Sequence, residues 1–480
     1  MTLRMPQSTH AKAENTSTQL GRDCVTSVCF LAPDGHHGFR KGPDSINDSA
    51  SSSSDNDDDD DDDDDESDDS LVFRSAALAA TLNHTATSES HLRGKHIVSL
   101  HGNGEALVWD LSSRSVVGKL PKRDGVGGLV VRRMGDEADH NTNVGANTSL
   151  NASLLYQTRD SQATVSVHDP LHDIATPVTQ FKTESRTFCR ASSCVGSRNL
   201  IALPSFEPSF VAIRDLRISP TALPVAYFDG SRTDSFKGSI TKGKRMGGGI
   251  GGRGHGMLSS VAMCIGTTGQ PVVSCGMESG TMFVHELVST TSSPPERTKT
   301  RSRLDDAVTT RCFTSLCNDP ILGLDMVPSG SSRGGGVLCA VGLAGDAADL
   351  RDSNSGGTVA LIKASPSSSS SSLLLGSGSD SVLDEWKARI RGRVGTCSLD
   401  SGGKPGVSVV RFRDGGRVFA IGGWDKRVRL FDRTHQDQLM ILKGHEEAVK
   451  DLDWCPGVDG LLVSCAGDGR INVWNVPTQS

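Results

Sequence analysis

Two glycine-rich stretches have residue types that can bind phosphate groups. Residues 238–245 read Gly-Ser-Ile-Thr-Lys-Gly-Lys-Arg, which matches a P-loop except that Arg245 stands where the Mg²⁺-binding Ser or Thr is needed. Residues 247–252 contain a G-x-G-x-x-G pattern, but Lys and Gly precede it where a dinucleotide site requires a strand. We therefore predict no nucleotide site, no cofactor and no small-molecule substrate.

Residues 242–256, at the end of a predicted loop spanning 229–256, are basic as well as rich in glycine. The phosphates of RNA or DNA attract such a segment, and aromatic side chains between the cations would add base stacking. This segment carries few cations and no interleaved aromatic residues. We interpret it as a flexible, positively charged loop and do not expect direct nucleic-acid binding.

No other motif supports catalysis or metal binding. The sequence lacks G-x-S-x-G, H-E-x-x-H, C-x-x-C and EF-hand patterns, and its twelve cysteines do not combine with histidines at zinc-finger spacing. His36 and His37 are adjacent, so on a strand their side chains would point to opposite faces. We predict a protein that is not an enzyme, with no catalytic residues, no metal and twelve free thiols in a reducing compartment.

The composition indicates a chain that is only partly globular. Of its 480 residues, 35 % are hydrophobic, 4 % are aromatic and 53 are glycine. Low-complexity segments of this composition cannot bury enough apolar surface to fold. No apolar stretch approaches the roughly 18 residues of a membrane helix, and the first residues lack the apolar core of a signal peptide. We therefore expect neither membrane insertion nor export.

Thirteen acidic residues lie between Asp55 and Asp69, and without them the net charge changes from −7 to +6. A like-charge run of this length repels itself and stays solvated. We interpret residues 34–92 as an acidic low-complexity insertion that acts either as a spacer or as a docking surface for a basic partner. Ser52 and Ser54 each precede an Asp by three positions, which makes both candidate phosphorylation sites for an acidophilic kinase.

Short β-rich runs separated by Gly and Asp turns follow one another in the last quarter of the chain, from residue 406 onwards. Their lengths and spacing are typical of hairpin-connected strands, and no helical periodicity interrupts them. In two successive units an Asp in a turn precedes an aromatic residue by six positions. The pairs are Asp425 with Phe431 and Asp468 with Trp474.

These units resemble the WD40 repeat, in which a His, a Ser or Thr, an Asp and a Trp form a buried hydrogen-bonded chain. The four positions are occupied in the last unit by His445, Ser464, Asp468 and Trp474. A buried Asp is tolerated only when it is hydrogen-bonded, so we expect a structural network here and no metal or catalytic role for the histidine.

Two other units match the pattern less completely. Near the start of the chain, Ser99, Asn103 and Trp109 stand at the offsets of Ser, Asp and Trp. In the unit of Asp425, Ile421 occupies the Ser position and no His precedes the strand. We therefore expect Asp425 to lack a complete network and to matter less for stability than Asp468.

Weaker units occur through the middle of the chain and bring the total to seven. A repeat period of about 40–45 residues with four strands each is the arithmetic of a propeller. We predict an all-β fold, a single seven-bladed WD40 β-propeller over residues 1–480 with long disordered loop insertions. The predicted insertions are residues 34–92, 133–151, 229–256, 288–319, 343–356 and 364–393.

Too few residues follow Trp474 to supply a fourth strand for the last blade, which would leave a strand edge exposed. The segment from Ala13 to Leu20 precedes the first blade, and we predict that it closes the ring by pairing with the last blade. One stretch around Trp386 has helical composition, and there we predict a short amphipathic helix that either packs locally or docks a partner.

Residues 423–432, Gly-Trp-Asp-Lys-Arg-Val-Arg-Leu-Phe-Asp, are followed by a Leu/Ile-rich strand and a His. This element resembles the guanine nucleotide-binding protein subunit beta-like protein 1 family, whose fungal counterpart is ASTRA-associated protein 1. Residues 104–111 and 274–287 fit the same family, whereas the acidic insertion departs from it. The resemblance covers the propeller and none of the insertions.

The resemblance implies a non-catalytic adaptor of a multiprotein complex in the nucleus and cytoplasm. Its implied partners are chromatin regulators of the ASTRA complex and the chaperone assembly that matures PI3-kinase-like kinases. Two alternatives stay open: a propeller that receives histone tails or ubiquitin-ligase substrates, and an RNA-associated propeller of ribosome biogenesis. Steep salt dependence of RNA retention would favour the RNA-associated protein, and co-purification of partner kinases would favour the adaptor.

We predict that deleting residues 34–92 and joining the flanking strands by a short turn leaves the fold intact. The entropic cost of closing a loop grows only slowly with its length, so the ring gains or loses little. Circular dichroism and the thermal midpoint of the deletion variant should match those of the full chain. An unfolded variant would show that the acidic segment is part of the structure.

Overall fold

The computed structural model describes strands joined by turns. The described residues are 2–4, 24–31, 95–120, 127–134, 153–159, 163–169, 173–197, 199–231, 255–287, 308–316, 318–329, 336–344, 358–366, 386–395, 406–456 and 460–476. Across these ranges, no helix is long and apolar enough to span a bilayer. The acidic insertion 34–92, with Ser52 and Ser54, lies outside the described residues, as does most of 133–151, 229–256 and 343–356.

A short strand, β1 (Thr2–Arg4), precedes two four-stranded sheets. Sheet 1 contains β2 (Val25–Phe30), β3 (His96–His101), β4 (Ala106–Asp110) and β5 (Ser115–Leu120). Sheet 2 contains β6 (Gly127–Arg133), β7 (Leu154–Arg159), β8 (Thr164–Asp169) and β9 (Asp173–Lys182). In both sheets the strands are antiparallel and adjacent in sequence order.

The middle of the chain forms sheet 3, which has eight strands. Its first half contains β10 (Ser192–Val195), β11 (Leu200–Pro204), β12 (Phe210–Asp215) and β13 (Ala226–Asp229). Its second half contains β14 (Leu258–Ile265), β15 (Pro271–Met277), β16 (Thr281–Leu287) and β17 (Val308–Ser315). A short parallel pairing of β10 with β14, at Cys194–Met263 and Val195–Cys264, joins the halves.

Three more four-stranded sheets follow. Sheet 4 contains β18 (Ile321–Pro328), β19 (Val337–Leu343), β20 (Thr358–Pro366) and β21 (Trp386–Gly395). Sheet 5 contains β22 (Val407–Phe412), β23 (Val418–Gly423), β24 (Arg427–Asp432) and β25 (Gln438–Lys443). Sheet 6 contains β26 (Val449–Trp454), β27 (Leu461–Ala466) and β28 (Arg470–Asn475), and β1 is its fourth strand.

The first strand of each unit contacts the first strand of the next, and the contacts form a closed circle. The circle runs through β2, β6, β10, β14, β18, β22 and β26 and returns to β2. Buried apolar side chains fill the space between neighbouring sheets, as Trp109, Phe30 and Val463 do between sheets 1 and 6. Sheets packed radially around their first strands make a β-propeller, so the predicted all-β propeller is confirmed. The sheets number five of four strands and one of eight, instead of seven of four.

A β-bulge recurs near the start of six of the seven inner strands. The pairing register skips one residue at Val25/Ser27, Gly128/Val130, Leu258/Ser260, Ile321/Gly323, Val407/Val409 and Val449/Asp451. A bulge bends its strand and re-aims the side chains that follow. Because the bulge has the same place in each strand, the residue two positions after each bulge occupies an equivalent place in the ring. These residues are Cys29, Arg132, Ala262, Asp325, Arg411 and Asp453.

The turns between second and third strands share a left-handed residue. It follows Asn103 as Gly104 (φ 83°), Asp468 as Gly469 (φ 70°) and Asp425 as Lys426 (φ 71°). Glycine adopts this conformation at no steric cost, whereas Lys426 does so against its preference. The Asx residue before it therefore marks a tight turn in each of these sheets.

Four sequence predictions are corrected by the strands. The strand that closes sheet 6 is Thr2–Arg4, whereas the predicted segment Ala13–Leu20 lies outside the described residues. Closure by the N-terminal segment therefore holds, but at an earlier position. Trp386–Gly395 is a strand and not a helix. The predicted loop 364–393 is shorter than expected, because its first residues belong to β20 and its last residues to β21. Likewise, β17 lies inside the predicted loop 288–319.

Ten of the twelve cysteines lie among the described residues, and all ten are free thiols. Nine of them are buried, in the spaces between sheets. Burial raises the pKa of the Cys194 thiol to about 12. These thiols therefore stay protonated and act as small core side chains.

We predict that Leu3→Pro destabilises the ring. Leu3 pairs with Ile471 in sheet 6, and proline removes a ladder donor and fits poorly inside a strand. The expected cost is about 1–3 kcal/mol, measured as a lower thermal midpoint. Ser17→Pro, in the segment first predicted to close the ring, is the matched control and should change nothing. A larger loss from Ser17→Pro would contradict the observed pairing.

Candidate functional site

The structure brings the four predicted residues of the last unit together. Trp474 Nε1 donates to Ser464 Oγ at 2.8 Å, and His445 Nε2 lies 2.8 Å from the same oxygen. His445 Nδ1 lies 3.4 Å from Asp468 Oδ2. Asp468 also accepts the backbone N–H groups of Glu446 and Arg470, at 2.6 and 3.0 Å. These hydrogen bonds link the loop before β26 to β27, to the turn after β27 and to β28.

Sheet 1 holds a related group, with a histidine that the sequence reasoning missed. Trp109 Nε1 donates to Ser99 Oγ at 2.8 Å, and His101 Nε2 lies 3.0 Å from that oxygen. Asn103 Oδ1 caps its own turn by accepting the N–H of Glu105 at 2.8 Å. Burial lowers the pKa of His101 to about 4, so its ring is neutral near pH 7.

The signal for His101 was its place two residues after Ser99, since positions i and i+2 of a strand share a face. The same spacing occurs in sheet 2, where Ser166 Oγ lies 2.9 Å from His168 Nε2. In sheet 1 the histidine on the second strand contacts the Ser that the WD pattern joins to a histidine before the first strand; in sheet 2 the pair lies on the third strand, β8.

Sheet 5 replaces the expected network by an ion pair. Asp425 lies in the turn after β23, and its two oxygens accept bonds from the Arg429 guanidinium at 3.0 and 2.5 Å. The two side chains are only 3 % and 4 % exposed. The His and Ser of the four-residue network are absent here, as the sequence indicated, but Asp425 is bound by Arg429, which the sequence analysis did not anticipate. Phe431 is buried and stacks on Phe419, with ring centroids 5.5 Å apart.

Asp451, on the inner strand β26, is fully buried and contacts side chains from several sheets. The Arg132 guanidinium, from β6, donates to its two oxygens at 2.8 and 2.6 Å. Ser27 Oγ, from β2, donates to Asp451 Oδ2. One carboxylate thus connects sheets 6, 1 and 2. Sequence reasoning missed all three residues.

Two more arginines approach the same carboxylate. Arg190 Nη1 and Arg411 Nη2 lie 3.4 and 3.8 Å from Asp451 Oδ1. Burial alone would raise the pKa of Asp451, but Arg132, with help from Arg190 and Arg411, holds it at about 2. The carboxylate is therefore ionised at every physiological pH.

Two other inner-strand carboxylates bind the backbone of the next sheet. Asp453 Oδ2 accepts the N–H of Phe30 at 2.8 Å, and Asp325 Oδ2 accepts the N–H of Phe412 at 2.7 Å. Burial raises the pKa of both carboxyl groups. Both residues hold the same place after the bulge, so the same contact forms twice in the ring.

The polar groups of the inner strands are thus used to join sheets. Within the described part of the chain, no group of three His, Cys, Asp or Glu residues is arranged to hold a metal ion. The four-residue chain of sheet 6, the Ser99 group and the Asp451 cluster are fixed by partners from the same ring. These buried groups therefore hold neighbouring strands and sheets together.

Comparison with known proteins places WD40 repeats in the chain. The family model for the WD domain, G-beta repeat, matches residues 395–432 and 436–475. The first match covers β22, β23 and β24 of sheet 5, and the second runs from β25 to the end of β28, so these regions are WD40 repeats.

The chain is similar over short stretches to several curated proteins. It is 49 % identical over 75 residues to ASTRA-associated protein 1 of Verticillium alfalfae, covering 13 % of this chain and 19 % of that protein. It is 32 % identical over 72 residues to guanine nucleotide-binding protein subunit beta-like protein 1 of Mus musculus, covering 15 % and 22 %. An uncharacterized WD repeat-containing protein of Schizosaccharomyces pombe is 30 % identical over 106 residues, covering 20 % and 22 %. The chain spans about a fifth of the length of these relatives.

Among solved structures, the β-propeller domain of Cps50 (Swd1) from Myceliophthora thermophila covers 80 % of this chain and 93 % of its own. The sequence identity is 14 % and the TM-score is 0.48.

We predict that Asp425→Ala destabilises the ring more than Asp468→Ala. Loss of Asp425 leaves the buried Arg429 guanidinium without an anion, at a cost of about 3–5 kcal/mol. Loss of Asp468 leaves a histidine and two amides unsatisfied, at about 1–3 kcal/mol. Chemical denaturation measures both. The double variant Asp425→Ala/Arg429→Met should recover part of the loss, and no recovery would show that the ion pair is not the cause.

We predict that Asp451→Asn lowers stability and removes a distinct acid transition. The folded-state pKa of about 2 lies below the ordinary value of 3.8, so this carboxylate stabilises the fold above about pH 4. That contribution is lost as pH falls toward 2. Urea unfolding between pH 2 and 6 should show a steeper fall for the parent than for the variant. Parallel curves would contradict the assignment.

We predict that His101 makes the fold less stable in mild acid. Its folded pKa of about 4 lies below the ordinary 6.5, so the unfolded chain binds the proton more readily between these values. Stability is then complete above pH 6.5 and falls as pH drops toward 4. His101→Gln should flatten this part of the curve. An unchanged curve for His101→Gln would contradict the assignment.

Proposed function

We propose that this chain is a non-catalytic WD40 scaffold of a multiprotein complex of the ASTRA type. In this role it would link chromatin regulators with the chaperone assembly that matures PI3-kinase-like kinases, in the nucleus and cytoplasm. The observation that carries the proposal is the stretch of 75 residues that is 49 % identical to ASTRA-associated protein 1. The shorter similarity to the beta-like protein 1 of mouse points in the same direction.

We also propose that the propeller has seven blades. Sheet 3 contains two successive sets of four antiparallel strands, and only two residue pairs join them. Its halves contribute β10 and β14 separately to the circle of inner strands. Dividing sheet 3 between these two strands gives seven units, each built around one inner strand.

The chemistry of the frame supports a binding role over a catalytic one. General acid–base catalysis needs a titratable group placed beside a substrate at a pKa near the working pH. Asp451 is ionised and enclosed by arginines, and His101 is neutral and enclosed by Ser99 and Trp109. The described groups with the strongest contacts are therefore committed to holding the ring, and a rigid ring presents its rim and loops to other proteins.

Affinity purification of the tagged full chain, with identification of the bound proteins, tests this proposal. We expect chaperone components and PI3-kinase-like kinases or their assembly factors, retained after nuclease treatment. The matched variant lacks residues 34–92. Retention of the same partners by this variant would make the acidic segment a spacer, and their loss would make it the docking surface.

The competing RNA-associated role predicts a different result from the same experiment. Partners would then be ribosome-assembly proteins, released by nuclease and by salt in a steep, counterion-dependent manner. Recovery of histones or of ubiquitin-ligase subunits as the main partners would favour the receptor role. Either result would overturn the adaptor.

A further inference from the structure

Exposed apolar side chains are concentrated in one stretch of the chain. Among the described residues, seven of the thirteen large apolar residues that are at least a third exposed lie between residues 178 and 225. They include Leu223, Phe188 and Phe206, which are 63 %, 62 % and 49 % exposed. Single exposed apolar residues are ordinary, but a concentration of them marks an interaction surface.

A groove lies within this surface, between the outer strand of sheet 2 and the outer strands β11–β13 of sheet 3. Its volume is about 370 Å³. Phe181, Leu203 and Ala212 form the floor, and all three belong to the packed core between the two sheets. Leu223 and Tyr227 line the wall. A concave site with an apolar floor and a few polar groups has the usual composition of a ligand pocket.

Two cations line the same groove, Lys182 and Arg214. Arg214 is half-buried, its guanidinium lies 5.4 Å from the centre of the Phe181 ring, and it donates to the backbone oxygen of Ala222. Among the described residues no carboxylate forms an ion pair with it. Burial lowers its pKa, which is the cost of holding this charge without an anion.

Three other shielded arginines among the described residues each face a carboxylate. Arg132 faces Asp451, Arg429 faces Asp425, and Arg311 donates to Glu286 at 2.6 Å. Arg214 instead lies over the Phe181 ring and lines a groove that also contains hydroxyl groups. Ser205 and Tyr227 supply these, with their oxygens 3.0 Å apart. The groove therefore combines apolar contact area with donors for one external carboxylate.

We propose that this groove binds an extended segment of a partner protein in which acidic residues stand next to bulky apolar ones. The carboxylate pairs with Arg214 and Lys182, and the apolar side chains cover Leu223, Tyr227 and the floor. A charge-assisted pair in a partly dry groove gives orientation, while the apolar contacts give most of the buried area. The site lies on the rim and does not depend on the ASTRA-type role.

Fluorescence anisotropy with the full chain tests the groove directly. The probe is a fluorescein-labelled synthetic peptide, Gly-Ser-Asp-Asp-Leu-Val-Phe-Gly. We expect saturable binding that weakens about tenfold or more when the two Asp residues of the peptide are replaced by Asn, because one charge-assisted hydrogen bond is lost. Replacing its Leu, Val and Phe by Ala should also weaken binding at least tenfold.

Variants of the chain provide the matched controls. Lys182→Glu reverses an exposed charge, and Arg214→Met keeps an apolar stem over Phe181 while removing the charge. Both substitutions should weaken binding of the peptide at least tenfold, and the thermal midpoint of each variant should stay close to that of the parent. Arg217→Ala removes a nearby arginine that is paired with Asp215 outside the groove, and it should leave the affinity unchanged.

Three results would overturn the proposal. They are no saturable binding, equal binding of the Asp and Asn peptides, and equal loss from Arg217→Ala and Lys182→Glu. A second copy of the chain is the other occupant to test. If sedimentation shows a dimer that Leu223→Asp converts to monomer while the peptide does not bind, the surface is a self-association face and the peptide site is wrong. A negative result in the peptide-binding experiment would not bear on the partner purification, since that experiment detects proteins bound anywhere on the chain.

Discussion

The carboxylate of Asp451 accepts hydrogen bonds from a guanidinium of sheet 2 and a hydroxyl of sheet 1 while belonging to sheet 6. It does so where the last sheet packs against the first, so the ring is joined there by charge as well as by packing. A buried charge is costly unless it is paired and hydrogen-bonded. Once Asp451 is buried, Arg132 and Ser27 have to be within reach, and this requirement fixes how three sheets sit around the axis.

The rest of the inner ring follows from the bulge that bends the inner strands. It places the carboxylates of Asp453 and Asp325 where each can accept a backbone N–H of the following sheet. In a propeller each sheet touches only its neighbours, so stability depends on a series of such local junctions. The apolar cores between sheets contribute the hydrophobic part of the stability. The inner carboxylates fix the orientation of neighbouring sheets, because a hydrogen bond is directional and an apolar contact is not.

Local spacing carried the parts of the site that could be predicted from sequence. His445, Ser464, Asp468 and Trp474 lie within one unit, and their offsets encode a hairpin whose geometry is nearly constant. Asp425 and Arg429 are only four positions apart, but no rule for the WD pattern indicated that an arginine would replace the Ser and His. The alternating cations after Trp386, which are Lys387, Arg389, Arg391 and Arg393, were compatible with a strand, and composition was a weaker guide than that alternation.

The Asp451 cluster could not be predicted in this way. Ser27 and Asp451 are 424 positions apart, and their meeting depends on how many units complete the circle and how each is rotated. The closing strand posed a related problem. A run of three residues, Thr2–Arg4, has too little pattern to be recognised, and only its pairing with Asn472, Ile471 and Arg470 identifies it.

That pairing has a consequence for how the protein is made in the cell. Of the described strands, β1 is the first to be synthesised, and its partner β28 is the last. Sheet 6 therefore cannot be completed until synthesis has passed residue 475. Unpaired strand edges invite wrong partners, so β1 is open to wrong pairing during the whole interval between its own synthesis and that of β28.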